Sequence, residues 1–386
     1  MQRTTPHVAL IVETSMAYGR GLLNGIAKYV AENGYWSIYV DQRSLNDPPP
    51  PWLSEWKGHG VIMRAQTRRL AQIVSDMGVP AVDTLHQFES LGMPLVIPDH
   101  SAIATTAVEH LLEKHFRHFA FVGVERAHWS KVRRDAVVGY LRSINIPCHV
   151  YSPVSRRRFL ESWEGGQQDL AEWLDDLPKP VGVIAAHDLR ALCVLDACRR
   201  QGLVVPEQVA VIGADNDEPL CNLGDPPLSS VVVDHEHIGY RAAELLDGLM
   251  KKKKPTKKPI LIPPKGVVAR RSTDFVAIED SIVAKAVCYI RQNACDGADV
   301  ADVARHCGMS RRTIERIFSQ FLGISPHDEI VRTKVARARQ LLMDTDYPLD
   351  VVAARSGLSH AAYLNVLFKR EVGVPPGEFR RTACAR

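Results

Sequence analysis

The chain has 386 residues, of which 46% are hydrophobic and 24% are charged, and its formal net charge is +4. This length favours two or three domains over one, and the composition is that of a soluble globular protein that can bury its cores. The eight cysteines form no CxxC pair, and no N-terminal apolar stretch is long enough for secretion or membrane insertion. We therefore expect a cytoplasmic protein with no metal site and no membrane partner.

From residue 7 to about 270, short apolar runs alternate with amphipathic segments of helix length. "HVALIVET" is rich in β-forming residues, and "YGRGLLNGIAKYVAENG" carries apolar residues at helical spacing. Such alternation predicts βαβ units and parallel sheets flanked by helices. Ligands bind these sheets outside the carboxyl ends of the strands, just after "IVET", "VIMR", "FVG", "IAAH" and "IGAD".

The run "MKKKKPTKK" (250–258) places six lysines in nine positions, a pattern found in nucleic-acid-binding segments. It follows a predicted helix and precedes the strand-like "PILIP", and no aromatic residue is interleaved to stack on bases. A solvated surface loop is the favoured interpretation. Auxiliary, non-specific attraction to phosphates is the alternative.

After a polar stretch at 270–281, the strand patterns give way to helical periodicity broken by Gly or Pro. Residues 282–386 contain 16 Lys and Arg against 11 Asp and Glu, whereas the first 281 residues contain 32 against 33. This distribution predicts an all-α module of about a hundred residues that faces a polyanion.

The helical part contains an internal repeat with an offset of 49 residues, "ARHCGMS" (304–310) and "AARSGLS" (353–359). A small residue, a turn glycine and a helix-capping serine in this order are typical of a helix-turn-helix unit. We expect two such units, at about 300–321 and 349–370. An ordinary αα-hairpin with a solvated arginine face is the structural alternative, and the duplication in the basic part of the chain argues against it.

The second helix of a helix-turn-helix unit can lie in the major groove of DNA with its N-terminal residues at base edges. In the first unit the candidates are Ser310, Arg311, Arg312, Thr313, Glu315 and Arg316. In the second unit, whose face is less charged, they are Ser359, His360, Asn365 and Lys369. The arginines suit guanine edges and phosphates, so we expect the first unit to recognise bases more strongly.

The last 105 residues resemble the tandem helix-turn-helix domain of the AraC/XylS family. "VRTKVARARQLL" is similar to the connecting helix of that family and "LFKREVGVPPGEFRR" to its closing signature. Leu364 stands where the family usually has Phe, and we expect only a packing adjustment there. The resemblance implies a transcription regulator that binds double-stranded DNA, and possible contact with RNA polymerase.

The first 275 residues resemble the effector-binding domain of LacI/GalR regulators. The similar stretches are "AVEHLLEKHFRHFAFVG", "VIAAHDLRALCVLDACRRQGLVVPEQVAVIGADND" and "PPLSSVVVDHEHIGYRAAELLDGLM". The resemblance implies a two-lobed, periplasmic-binding-protein-like sensor at 1–275, a linker at 276–281 and a DNA-binding domain at 282–386. LacI-type proteins carry an N-terminal helix-turn-helix, whereas this chain begins at the first strand. A sensor of this kind ahead of an AraC-type domain is the arrangement of xylose regulators, which implies a homodimeric activator with D-xylose as effector and no cofactor.

Sugar hydroxyl groups are bound by carboxylates, amides and arginine, and aromatic rings cover the apolar ring face. By resemblance, Asp215 corresponds to a ligand-binding aspartate and Arg133 to a sugar-contacting arginine. Six further candidates lie near the ends of predicted strands or close to Arg133 in the sequence: Tyr18, Arg20, Asp99, Trp129, His187 and Asp188. Several have structural alternatives: Asp188 as a helix cap, Asp99 and Asp215 as turn residues, and Trp129 as a core or partner-facing residue. His187 stands where the family often has Asn.

Rival functions rest on weaker patterns. Gly19, Gly21 and Gly25 follow a strand, with Asp41 further on, and nearly spell a dinucleotide fingerprint. The fingerprint needs its first glycine at the end of the strand, but "TSMAY" intervenes. Asp215 and Asp217 could suggest a glycosidase, and a free-standing solute-binding protein is a further alternative. The same regulator architecture could also respond to another pentose or repress transcription.

Overall fold

The computed structural model describes residues 5–88, 92–152, 163–254, 258–275, 277 and 280–384. The chain divides into two units, one of Met1–Glu113 with Arg117–Phe275 and one of Lys114–Phe116 with Val276–Arg386. The predicted linker at 276–281 lies partly outside the described residues. At its end, Asp280 caps the first helix of the C-terminal part by accepting hydrogen bonds from two backbone N–H groups.

The first unit has two lobes, the first built on a four-stranded and a two-stranded sheet and the second on a six-stranded sheet. The first lobe contains β1 (His7–Ile11), α1 (Ala17–Asn33), β2 (Ser37–Val40), β3 (Gly60–Met63), α2 (Arg68–Asp76), β4 (Ala81–Asp83) and β5 (Val96–Pro98), together with α8 (His235–Met250) and β11 (Ile260–Ile262). The second contains α3 (His100–Glu113), β6 (His118–Val122), α4 (His128–Ser143), β7 (Cys148–Val150), α5 (Trp163–Asp175), β8 (Val181–Ala185), α6 (Asp188–Gln201), β9 (Val209–Ala214), α7 (Glu218–Leu223), β10 (Ser229–Val232) and β12 (Gly266–Val268). Short 3₁₀ turns occupy Pro51–Glu55 and Arg271–Thr273.

The strand order of the first sheet is β2-β1-β3-β4 and that of the second is β12-β10-β9-β8-β6-β7. All neighbouring strands in these two sheets are parallel except the β10–β12 pair. Strands β8 and β9 are buried along their whole length, as expected for parallel strands covered on both faces. The prediction of a two-lobed α/β sensor with parallel sheets is confirmed, and their strand ends place loops from both lobes around one cavity.

Glycines bring α1 and α8 into close contact. A Cβ atom added to Gly25 would lie 1.9 Å from the Glu236 carbonyl oxygen, and one added to Gly239 would lie 2.1 Å from that of Leu22. At Gly19, an added Cβ would lie 1.7 Å from the Glu13 carbonyl oxygen. The near-fingerprint of the opening helix is therefore explained by packing inside the first lobe.

The C-terminal part is all-α. Its helices are α9 (Ser281–Asn293), α10 (Val300–Cys307), α11 (Arg311–Leu322), α12 (Pro326–Asp344), α13 (Leu349–Arg355), α14 (Ala361–Val372) and α15 (Pro376–Cys384), and a 3₁₀ turn spans Ala294–Asp296. Two apolar cores form, one around α9, α10 and α11 and one around α13 and α14, and α12 contributes to both. Leu364 lies fully buried in the second core.

The two helix-turn-helix units differ at the start of their second helix. Gly308 and Gly357 both have positive φ in the turn, as predicted. Ser310 caps α11 by accepting a hydrogen bond from the Thr313 N–H. The matching expectation for Ser359 is wrong: α14 begins at Ala361, and the His360 imidazole accepts from the Tyr363 N–H instead.

Among the described residues, no helix combines the length and the apolar character needed to cross a membrane.

Candidate functional sites

A cavity of about 520 Å³ opens between the two lobes of the first unit. Five of the predicted sugar contacts line it: Tyr18, Trp129, Arg133, His187 and Asp215. The first lobe adds Asn46, Gln66 and Gln87, whose amides both donate and accept hydrogen bonds. The volume and the mixture of apolar and polar walls suit a small polar ligand.

Asp215 follows β9, and its carboxylate lies beside Arg133. Among the described residues that line the cavity, no other carboxylate does so. Asp215 Oδ1 lies 3.9 Å from Arg133 Nη2 and 3.5 Å from His235 Nε2. Burial alone would raise the pKa of this carboxyl, but the nearby His235 imidazole and the charge of Arg133 lower the pKa below its usual range. Asp215 is therefore an ionised acceptor at neutral pH.

Arg133 is held from three sides. Its Nε donates to His100 Nδ1 at 3.2 Å, its Nη1 donates to the Ala186 carbonyl oxygen, and its guanidinium lies 5.2 Å from the centre of the Trp129 ring. Trp129 in turn contacts the His187 ring at 5.5 Å between centroids. The guanidinium is thus fixed before any ligand enters.

Arg64 and Glu13 form a second charged pair at the cavity, and neither residue was among the predicted sugar contacts. Their side chains make a buried ion pair, and the Arg64 guanidinium stacks on the Tyr18 ring at 3.9 Å from its centroid. Burial lowers the pKa of Arg64 to about 10. The signal was present, because Glu13 and Arg64 lie in "IVET" and "VIMR", two of the strand ends to which the parallel-sheet rule points.

The other three predicted sugar contacts do not line the cavity. Arg20 is exposed and donates to the carbonyl oxygens of Thr14 and Ser15. Asp99 accepts from the Ala102 N–H at the start of α3, and Asp188 is buried behind the cavity wall. Burial, and then the charge of Asp215, raise the pKa of Asp188.

The two buried arginines of the cavity each have a carboxylate partner, Glu13 for Arg64 and Asp215 for Arg133. A buried arginine without a partner would favour an anionic ligand, because an unpaired buried charge is costly. With the charges balanced, the cavity favours a neutral ligand rich in hydroxyl groups.

The candidate DNA-contacting residues lie on α11 and α14 or just before them, and Lys369 lies in the last turn of α14. In α11, Arg311 pairs with Glu315 at 2.9 Å, Arg316 donates to Gln320, and Arg312 is exposed. In α14 and just before it, Ser359, His360, Asn365 and Lys369 are exposed. Each helix buries its opposite face in its own core, so these side chains remain available to a ligand outside the domain.

Comparisons with known proteins agree with this architecture. A model of a periplasmic-binding-protein-like domain matches residues 108–273, and one of a helix-turn-helix domain matches residues 303–382. The xylose operon regulatory protein of Haemophilus influenzae is 32% identical over 97% of each chain. The chain belongs to the family of xylose operon regulatory proteins. The Escherichia coli K12 member is also 32% identical, over 97% of this chain and 96% of its own.

Among solved structures, that of the xylose-binding transcription activator XylR is similar with a TM-score of 0.64, at 30% identity over 99% of both chains. These relatives are transcription regulators, so the prediction of a helix-turn-helix transcription regulator is confirmed and the enzyme alternatives are set aside.

Proposed function

We propose that this chain is a cytoplasmic activator of a xylose-catabolism operon and that D-xylose is its effector. The observation that carries the proposal is the cavity between the lobes, where Arg133 and Asp215 face each other within a charge-balanced wall. The relatives support the choice of sugar, since they regulate a xylose operon and one is a xylose-binding activator.

In this proposal, Asp215 accepts hydrogen bonds from sugar hydroxyl groups and Arg133 donates to a hydroxyl oxygen. Trp129 covers the apolar face of the ring, while Tyr18 and His187 complete the wall. Arg20, Asp99 and Asp188 support the surrounding loops instead of touching the sugar, because their polar atoms bind backbone or buried groups.

The sensor comprises residues 1–275, the linker 276–281 and the DNA-binding domain 282–386. D-xylose binds one arrangement of the lobes better than the other and shifts their equilibrium. A homodimer then places paired DNA-binding domains on adjacent half-sites, in contact with RNA polymerase. The residues that contact DNA are Ser310, Arg311, Arg312, Thr313, Glu315, Arg316, Ser359, His360, Asn365 and Lys369.

Titration calorimetry of the full chain with D-xylose, L-arabinose and D-ribose tests the choice of effector. We expect heat of binding with D-xylose and much weaker binding of the other two pentoses. Asp215→Asn removes the ionised acceptor and should weaken binding by roughly 10- to 150-fold, the equivalent of one charged hydrogen bond. Asp176→Asn, at an exposed site of the second lobe, should bind like the wild type.

Absence of D-xylose binding would refute the proposal, and preference for another pentose would move it to a different catabolic operon. Transcription in vitro with purified RNA polymerase tests the sign of regulation. An activator increases the transcript when D-xylose is added. A decrease in transcript on adding the protein, relieved by D-xylose, would make the chain a repressor.

A further inference from the structure

The turn that presents Asp215 to the cavity has an unusual backbone. Asp215 and Asn216 follow each other with φ angles of +108° and +51°, a region that residues other than glycine occupy rarely. Such conformations persist only where the surroundings hold them, and they concentrate at ligand sites and switches. The groups that hold this turn therefore control the position of the Asp215 carboxylate.

Asp188 and Ser230 hold the turn from inside the second lobe. The Asn216 N–H donates to Ser230 Oγ at 3.0 Å, and the Asp217 N–H donates to Asp188 Oδ2 at 2.8 Å. Ser230 Oγ itself donates to Asp188 Oδ1 at 2.5 Å. Glycine at 213 leaves room for this carboxylate, since an added Cβ would lie 2.3 Å from Asp188 Oδ1.

Arg270 contacts the same turn from the chain segment that leaves the sensor. Its Nη2 donates to Asn216 Oδ1 at 3.0 Å, and its Nη1 donates to the Leu228 carbonyl oxygen at 2.9 Å. Its backbone N–H donates to Ser229 Oγ at 2.7 Å. One side chain therefore joins the turn to a backbone position only six residues before the linker at 276–281.

The residues after Arg270 are fastened to the strands that carry the turn. Ser272 Oγ donates to the Val211 carbonyl oxygen at 2.6 Å, and Thr273 Oγ1 lies 2.8 Å from Ser229 Oγ. Both side chains are fully buried. The other hydrogen bonds of this segment go to β9, to residues 227–229 and to His110 of α3, so the Arg270–Asn216 hydrogen bond is what joins the segment directly to the turn and transmits a displacement of it.

We propose that Arg270 couples sugar binding at Asp215 to the chain segment that leads to the DNA-binding domain. The inference rests on the proposed function. A sugar bound to Asp215 stabilises the turn and keeps Asn216 Oδ1 on the Arg270 guanidinium. Asp188 has a different role as the positioning residue of the turn, so loss of Arg270 leaves the sugar site formed.

The test compares Arg270→Met with Arg271→Met, which changes the neighbouring, exposed arginine. D-xylose affinity is measured by calorimetry. DNA affinity is measured with and without D-xylose, on a site that the wild-type chain selects from a random-sequence pool. In the wild type we expect D-xylose to raise DNA affinity by about 5- to 150-fold, the usual range of allosteric coupling. Arg271→Met should keep that ratio.

For Arg270→Met we expect sugar affinity within about threefold of the wild type. The ratio of DNA affinity with D-xylose to that without it should fall close to one, which is loss of coupling without loss of either site. A wild-type ratio in Arg270→Met would overturn the inference while leaving the proposed function intact. A wild-type chain that does not respond to D-xylose would instead count against the proposed function itself.

Asn216→Gly serves as a second variant in case Arg270→Met does not fold. It removes the acceptor of the hydrogen bond, tolerates the positive φ and leaves the Arg270 contact to Leu228 in place. It should lose the coupling as well, whereas Asn216→Asp keeps an oxygen acceptor and should retain it. Retention of the ratio in Asn216→Gly would contradict the role given to Arg270.

Discussion

Gly25→Ala tests the close packing of α1 against α8 that explains the glycines of the opening helix. The added methyl carbon would lie 1.9 Å from the Glu236 carbonyl oxygen and 2.7 Å from the Tyr240 nitrogen. Carbon–oxygen contacts in proteins are about 3.3 Å, so the helices must separate by roughly 1.4 Å. Overpacking costs about 1–3 kcal/mol, and we expect the upper end because both contacts are to backbone and no rotamer relieves them.

In a helix interior, alanine is about 1 kcal/mol more favourable than glycine, so the net loss of unfolding free energy is about 2 kcal/mol. Gly139→Ala is the matched control, because Gly139 is exposed on α4 and an added Cβ there would meet no described atom within 4 Å. It should stabilise the fold by about 0.5–1 kcal/mol.

Urea unfolding followed by tryptophan fluorescence isolates the relevant unit, since all six tryptophans precede residue 175. The difference of about 2 kcal/mol corresponds to a fall in Tm of about 4–8 °C for a unit of this size. If Gly25→Ala were as stable as the wild type, the close approach of the two helices would not be a real constraint on the sequence.

Arg312→Ala should cost about 1–3 kcal/mol of binding free energy on the preferred DNA site and little on other sequences, whereas Arg305→Ala on α10 should leave base preference unchanged; competition assays showing equal losses on all sequences would exclude base recognition by Arg312. Replacing Lys251–Lys254 with glutamine should reduce the salt dependence of DNA affinity slightly and leave site choice alone, and a changed site in a selection experiment would contradict this. His100 accepts from Arg133, and burial lowers its pKa well below 6.5, so it stays neutral in the folded state while the unfolded form takes up a proton. Unfolding free energy should therefore fall as the pH drops below about 6.5, by at most about 1.4 kcal/mol per pH unit from this group. His100→Gln should flatten the slope in urea titrations between pH 7.5 and 5.5, and an unchanged slope would refute the assignment.

The parallel-sheet rule located the cavity from the sequence but not the orientation of individual side chains. His187 and Asp188 are consecutive at the end of β8, yet His187 lines the cavity while Asp188 points into the second lobe. Which of two neighbours faces a ligand depends on turn dihedrals and on distant partners. For Asp188 the deciding partners, Ser230 and the Asp217 N–H, lie 42 and 29 residues away in the chain.

Contacts between charged side chains that lie far apart in the sequence were the least predictable part of the site. Arg64 and Glu13 are 51 residues apart, and neither has a local pattern that identifies its partner. His235 follows a crossover between the lobes and begins α8, so its approach to Asp215 depends on the tertiary arrangement. The repeat in the C-terminal part was predicted more completely, because helical spacing, turn glycines and caps are local signals. Even there, one residue of shift moved the cap from Ser359 to His360.

The free energies of the contacts at the Asp215 turn are large enough for regulation. Coupling between two sites is typically about 1–3 kcal/mol, and one hydrogen bond to a charged group contributes about 1.5–3 kcal/mol. A single guanidinium–amide contact can therefore carry the whole effect. Two successive residues in a rarely occupied backbone region cost about 1–3 kcal/mol each. That cost opposes the hydrogen bonds of the turn, so the free-energy difference between its held and released forms is small enough for a sugar at Asp215 to reverse.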